Sequence, residues 1–224
     1  MAESQRSRLY RLLHPQPSVG TKDTSLRYTD ILFGFVIREL FQRLSNFLSL
    51  QPLLQAHLIV GTILVLGSWI GYRRSIYRSS YEVKFFNIPF FKFLVDQLML
   101  ILYFRIATVT PITPSVPPPA LAQTTVELVF LVFVLYFVWD VLGLLETSVR
   151  TNGIPVYPKV ANGIMTQEHE QRNWSGFWIT TAGALVFGVL WLLVPHIGPV
   201  PALYLTAFIL LVYRWSKENR WIWK

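Results

Sequence analysis

Six stretches of this chain are apolar over a length that suits a membrane crossing, and polar segments separate them. They are residues 26–50, 53–72, 90–109, 126–146, 174–194 and 200–215, most of them near the roughly 20 residues that a bilayer core requires. The first differs from the rest in carrying ionisable groups along most of its length. Read as a helix, it sets Asp30, Gly34, Arg38, Gln42, Ser45 and Ser49 on one stripe, because steps of three and four return to the same face. Ile, Leu and Phe flank that stripe. A water-soluble amphipathic helix has the same pattern, but the five stretches that follow place the chain in a bilayer. There the stripe must face other helices or a water-filled path, since charges turned to lipid at mid-depth are costly.

The punctuation between stretches agrees with this division. Gln51 and Pro52 make a tight turn, and the second stretch ends in Trp69, Tyr72, Arg73 and Arg74. Asn87 and Pro89 precede the third, which holds Asp96 and Arg105. Residues 110–125 contain five prolines and no charge, the composition of an extended connector. Asp140 lies near the far end of the fourth stretch, after Tyr136, Phe137 and Trp139. In the fifth, Gly176, Thr180, Ala184 and Gly188 recur at steps of four, a small-residue seam that lets a neighbouring helix approach closely. Pro195 is expected to end that helix.

Basic residues fall on alternate sides. The leader 1–27, the loop before the third stretch, the loop before the fifth and the chain's end from Arg214 onward carry five, four, three and four Lys or Arg; the intervening loops carry none. The positive-inside rule then puts both termini in the cytoplasm. The expected fold is all-α, a polytopic six-helix transmembrane bundle, with a basic leader 1–27, a membrane domain 28–215 and a basic aromatic tail 216–224. The run from Arg6 to Leu13 suits a short surface helix, but Pro15 and Pro17 favour a plain tail.

Composition narrows the class further. Over 224 residues the chain is 53% hydrophobic and 14% charged, with a mean hydropathy of +0.43, whereas a soluble domain has about 25% charged residues. Cysteine is absent, which removes disulfides, thiolate metal sites and cysteine nucleophiles together. The net charge of +8 is spread between apolar segments rather than gathered on a basic face, which argues against nucleic acid. The expected setting is a cell inner or plasma membrane, with the lipid bilayer as partner and no cofactor. No phosphate-binding glycine loop, nucleophile elbow or zinc-protease helix is present, so no enzyme activity is expected. Glu168, His169 and Glu170 resemble a metal cluster in composition, yet adjacent helical residues point apart. His57 and His196 are isolated, which suits interfacial positions better than metal ligation.

The charged residues inside the stretches are the candidates for function. Counting along ideal helices from the cytoplasmic side puts Asp96 about 9–12 Å deep, Asp140 about 10 Å and Arg38 about 15 Å. An Arg between carboxylates avoids an unpaired charge, so Arg38 is expected to pair with Asp96 or Asp140. Glu39 and Arg43 have helical ion-pair spacing, with Arg105 as a third member. Such a cluster suits a transport site and a structural clip equally.

The run Tyr28, Thr29, Asp30, Ile31, Leu32, Phe33, Gly34, Phe35, Val36, Ile37 resembles the first-helix signature of the bacterial TMEM175-type potassium channels. Asp30 and Phe33 match that signature identically, and Tyr28, Thr29 and Gly34 match in kind, while Thr24 stands where the family has Arg. The resemblance implies six spans, an oligomeric channel for a small cation, and a pore lined by the first helix with Ile37 as the apolar candidate. The same ten residues are also similar to the first helix of the LtrA-type membrane proteins. Three functions follow as expectations. One is a homo-oligomeric monovalent cation channel with Asp30 at the pore mouth. Another is a proton-coupled carrier using Arg38, Asp96 and Asp140. The third is a non-catalytic membrane anchor or assembly factor.

Overall fold

The computed structural model describes residues 19–78, 88–110, 120–152, 158–161, 164–167 and 174–219. Most of the basic leader, the surface run from Arg6 to Leu13, most of the proline-rich connector, the triplet Glu168, His169, Glu170 and residues 220–224 lie outside them. Six helices carry the architecture: α1 Val19–Leu44, α2 Pro52–Arg78, α3 Ile88–Thr108, α4 Leu121–Asn152, α5 Trp174–Ile197 and α6 Pro199–Asn219. Between α4 and α5 stand two short antiparallel strands, β1 Pro158–Ala161 and β2 Ile164–Gln167, with Pro158 opposite Gln167. The sequence pattern gave no sign of this hairpin.

Among the described residues, four helical stretches are long and apolar enough to cross a membrane: Pro52–Arg73, Leu121–Glu146, Trp174–Ile197 and Pro199–Glu218. By length and composition this is the make-up of an integral membrane protein. The other two helices are more heavily charged. α1 carries seven Asp, Glu, Lys or Arg side chains, and α3 carries Lys92, Asp96 and Arg105.

Local chemistry fixes several helix ends. Pro52 and Pro199 open α2 and α6, and Pro89 is the second residue of α3; at these positions the missing N–H costs nothing. α1 stops at Leu44, before the expected residue 50, and a single 3-10 turn, Phe47–Ser49, follows. Side chains hold that corner by capping its carbonyls: Ser45 donates to Gln42, Ser49 to Asn46, and Gln55 to Phe47. α5 runs on through Pro195 to Ile197 instead of ending there. Proline has no N–H for the carbonyl of Trp191, and that oxygen accepts instead from Nε2 of Gln123 on α4, at 3.1 Å. Gly198, with φ +93°, then forms the whole link to α6, a backbone angle that suits glycine.

Pairwise packing arranges the helices in two layers, α1–α2–α6 and α3–α4–α5. α2 lies against α1, α3, α4 and α6, while α4 lies against α2, α3, α5 and α6. The centre of the bundle is thus α2 with α4, and α1 is an edge helix resting on α2 and α3. Val60, Val65, Ile106, Val126, Val129, Phe133, Phe187 and Leu203 are fully buried between the layers. Close approach of α2 and α6 depends on Gly67 and Gly71, over which the Arg214 side chain lies; a Cβ on Gly71 would stand 2.8 Å from its guanidinium. On α5 the buried face runs Gly176, Thr180, Gly183, Phe187, Leu190, Val194. Steps of four drift around a helix, whereas alternating fours and threes stay on one face. Gly183 therefore takes the closest contact, where a Cβ would lie 2.6 Å from Phe133. Ala184 is half-buried against the core, and Gly188 borders Phe130.

Candidate functional site

The turns at 45–51 and 198 lie at one end of the bundle, where α3 also ends and α4 begins; it is termed here the short-turn end, and the opposite end the long-loop end. Polar groups near the short-turn end bind mainly the backbone. Arg43, 6% exposed, donates from Nε to the Thr110 carbonyl at 2.8 Å and from Nη1 to the Glu39 carboxylate at 2.9 Å. It thereby ties the end of α1 to the end of α3. His57, only 1% exposed, lies between Thr125 Oγ1 of α4 at 2.8 Å and the Ile106 carbonyl of α3 at 3.0 Å. A carbonyl can only accept, so Nε2 must carry a proton and donate. The interfacial position expected for His57 is replaced by a buried junction of three helices. Arg105 is exposed and does not join the Arg43–Glu39 pair.

From mid-bundle towards the long-loop end, side chains bind one another. Tyr103 of α3 and Tyr136 of α4 share a hydrogen bond at 2.9 Å, and Tyr136 also bonds Ser68 of α2. Ser68 gives its proton to the Leu64 carbonyl, so Tyr136 donates to Ser68 and Tyr103 donates to Tyr136. The chain has one direction and ends on backbone. Asp96 is buried on the same face of α3 as Tyr103, and its carboxylate acts electrostatically on Tyr103 and Tyr72.

Beside this chain lies a second group. Lys217 of α6 donates to Tyr213 Oη at 3.0 Å and to Thr180 Oγ1 of α5 at 3.1 Å. Its ammonium faces Asp140 Oδ2 of α4 at 3.6 Å, an ion-pair distance beyond hydrogen bonding. That carboxylate oxygen is buried and makes no hydrogen bond among the described residues. The rings of Tyr136 and Tyr213 stack with centroids 6.4 Å apart, and Lys217 lies 5.7 Å from the Tyr136 ring. The two groups therefore meet at an aromatic wall, without a continuous hydrogen-bonded path between them among the described residues.

Among the described residues, two further ion pairs join different helices near the long-loop end. Asp30 accepts from Arg73 at 2.7 Å and from Trp69 Nε1 at 3.2 Å. Lys92 binds Glu146 at 2.6 Å, and its ammonium lies 4.8 Å from the Trp139 ring.

The structure thus separates residues that the sequence grouped together. Arg38 is exposed on α1 and contacts neither Asp96 nor Asp140; Asp140 faces Lys217 instead. Residue counting gives depth, not direction around a helix axis, and Arg38 lies on the side away from the packed layers. Phe33 is buried against the rings of Tyr72 and Tyr103, both at 5.8 Å, and Ile37 is half-buried against the core. Thr180, expected as a packing residue, is also a partner of Lys217. Lys217, Tyr213, Tyr136, Tyr103 and Ser68 were not foreseen. A signal was present in the sequence: Tyr136 and Asp140, like Tyr213 and Lys217, are four apart on apolar helices and share a face.

No family model, no curated protein and no solved structure matches this chain.

Proposed function

We propose that the protein is a proton-coupled membrane carrier whose protonation switch is the Asp140–Lys217 pair. The observation that supports this is the Asp140 oxygen, buried, facing an ammonium, and bound by no hydrogen-bond donor among the described residues. Protonating this carboxylate breaks no hydrogen bond at that oxygen. It removes the attraction across α4 and α6, while Lys217 keeps Thr180 and Tyr213 as acceptors. Proton binding therefore changes the balance between two packings of these helices, which is what coupling requires. Ionisable residues within a membrane are functional candidates by default.

The channel expectation fits this packing less well. Phe33 and Ile37 turn into the protomer, and the exposed face of α1 carries Arg38, which repels cations. The carrier reading includes six spans with cytoplasmic termini, from the distribution of basic residues. Because the chain has no cysteine, single cysteines at Ser115 and Ser216 test that topology; labelling from the same side would end it.

The switch is tested by infrared spectroscopy of the protein in lipid. Lowering the pH should produce a protonated-carboxyl band that Asp140→Asn lacks and Asp30→Asn retains. Proteoliposomes holding a pH-sensitive dye should acidify under an imposed potential with the native chain and not with Asp140→Asn. Absence of an Asp140-dependent band at any pH the fold tolerates would refute the proposal.

A further inference from the structure

Two charges of opposite sign stand on the exposed surface of the bundle at the same depth. Arg38 of α1 lies six residues before Leu44, and Glu127 of α4 lies six residues after Leu121. Both helix ends belong to the short-turn end, so each charge is about 9 Å inside it at 1.5 Å per residue. Both side chains are exposed, and neither has a hydrogen bond or ion pair among the described residues. Arg105, the other exposed cation nearby, is only three residues from the end of α3 and reaches the interface with its own length. Arg38 and Glu127 are deeper, where a charge that faces lipid is costly.

The surfaces around them match as well. Phe35, 54% exposed, precedes Arg38 on its face, and Leu131, 39% exposed, follows Glu127. α1 and α4 run in opposite directions, so both apolar side chains lie deeper than the charges, at about 14 and 15 Å from the short-turn end. Within one copy the two faces belong to different layers and do not meet. We infer that Arg38 of one copy pairs with Glu127 of a second copy inside the bilayer, with Phe35 packing beside Leu131. An axis along the membrane normal preserves depth, so equal depth is the condition such a contact must meet, whether it repeats around a ring or is made twice about a two-fold axis. This inference is independent of the carrier reading, and either can fail alone.

The test uses the whole chain, purified and reconstituted in lipid. Phe35→Cys and Leu131→Cys copies leave both charges in place, and mixing them should give a cross-linked dimer that neither gives alone. Arg38→Glu or Glu127→Arg should abolish the cross-link and raise the protein-to-lipid ratio needed for association by roughly tenfold or more. Combining the two reversals should restore both. Glu127→Gln, which keeps the volume, should weaken association if Glu127→Arg fails to fold. A monomeric native protein in lipid, a cross-link indifferent to both reversals, or loss of the cross-link with Arg105→Glu in place of Arg38→Glu would overturn the assignment.

Discussion

The two ends of the bundle use polar groups in different ways. Near the short-turn end, Arg43 and His57 reach backbone carbonyls, which cannot change charge or rotate away. From mid-bundle to the opposite end, Tyr103, Tyr136, Ser68, Tyr213, Thr180 and Lys217 mostly reach one another, and Asp140 is left with an oxygen that nothing donates to. A side chain bound to backbone fixes where helices sit. A side chain bound to another side chain can exchange partners or protons at smaller cost, since both members can rearrange. One end of this membrane protein is built as a joint, and the rest carries the groups that are free to respond.

The largest test of that difference is Arg43→Leu. It leaves the Glu39 carboxylate and the Thr110 carbonyl without their donor, so a loss of about 3–5 kcal/mol is expected, as for breaking a buried pair by removing one partner. Thermal unfolding in detergent measures it, and a change near zero would show that this end is no joint. His57→Phe should cost about 1–3 kcal/mol for the polar groups it leaves unsatisfied, read as a lower denaturation midpoint. Gly183→Ala should cost about 1–3 kcal/mol through the clash with Phe133. At Gly34 a Cβ meets nothing within 4 Å, so Gly34→Ala should gain up to about 1 kcal/mol from helix propensity. The smallest loss of stability is expected at Asp140→Asn, because the pair is held at 3.6 Å without a hydrogen bond and Lys217 keeps Thr180 and Tyr213 as acceptors, together with the loss of proton movement. A large destabilisation there would make the pair a clip and erase the contrast between the ends.

How much of this was legible in the sequence depends on the kind of information needed. Helix positions follow from uninterrupted apolar length, and five of the six expected stretches lie within observed helices apart from one or two terminal residues. The exceptions are instructive. α1 ends early because Ser45, Ser49 and Gln55 cap carbonyls that a helix would have used, and α5 passes Pro195 because Gln123, distant in sequence, supplies the missing donor. The candidate site was less legible. Depth along an axis comes from counting, but the direction of a side chain depends on which neighbour its helix meets, and that is why counting pairs Arg38 with Asp96 or Asp140. Lys217 was hidden differently. It follows the last apolar run and reads as part of the basic tail, yet its aliphatic stem carries the ammonium back among Thr180, Tyr213 and Asp140.

The pairs Asp30–Arg73 and Lys92–Glu146 have a consequence for biogenesis. Each joins a heavily charged helix to one that is more apolar, α1 to α2 and α3 to α4. Under the six-span topology, α3 alone would take Lys92 and Asp96 into the membrane, at up to about 2.5–3.5 kcal/mol for each charge, while Arg105 is close enough to its end to reach the interface. With α4 beside it, Lys92 enters already neutralised by Glu146. The units that leave the translocon are then helical hairpins, α1 with α2 and α3 with α4, while α5 and α6, joined by Gly198 alone, are apolar enough to insert unaided. Translation into microsomes with glycosylation tags should find α3 poorly inserted by itself and fully inserted when α4 follows, with Glu146→Lys cancelling the rescue.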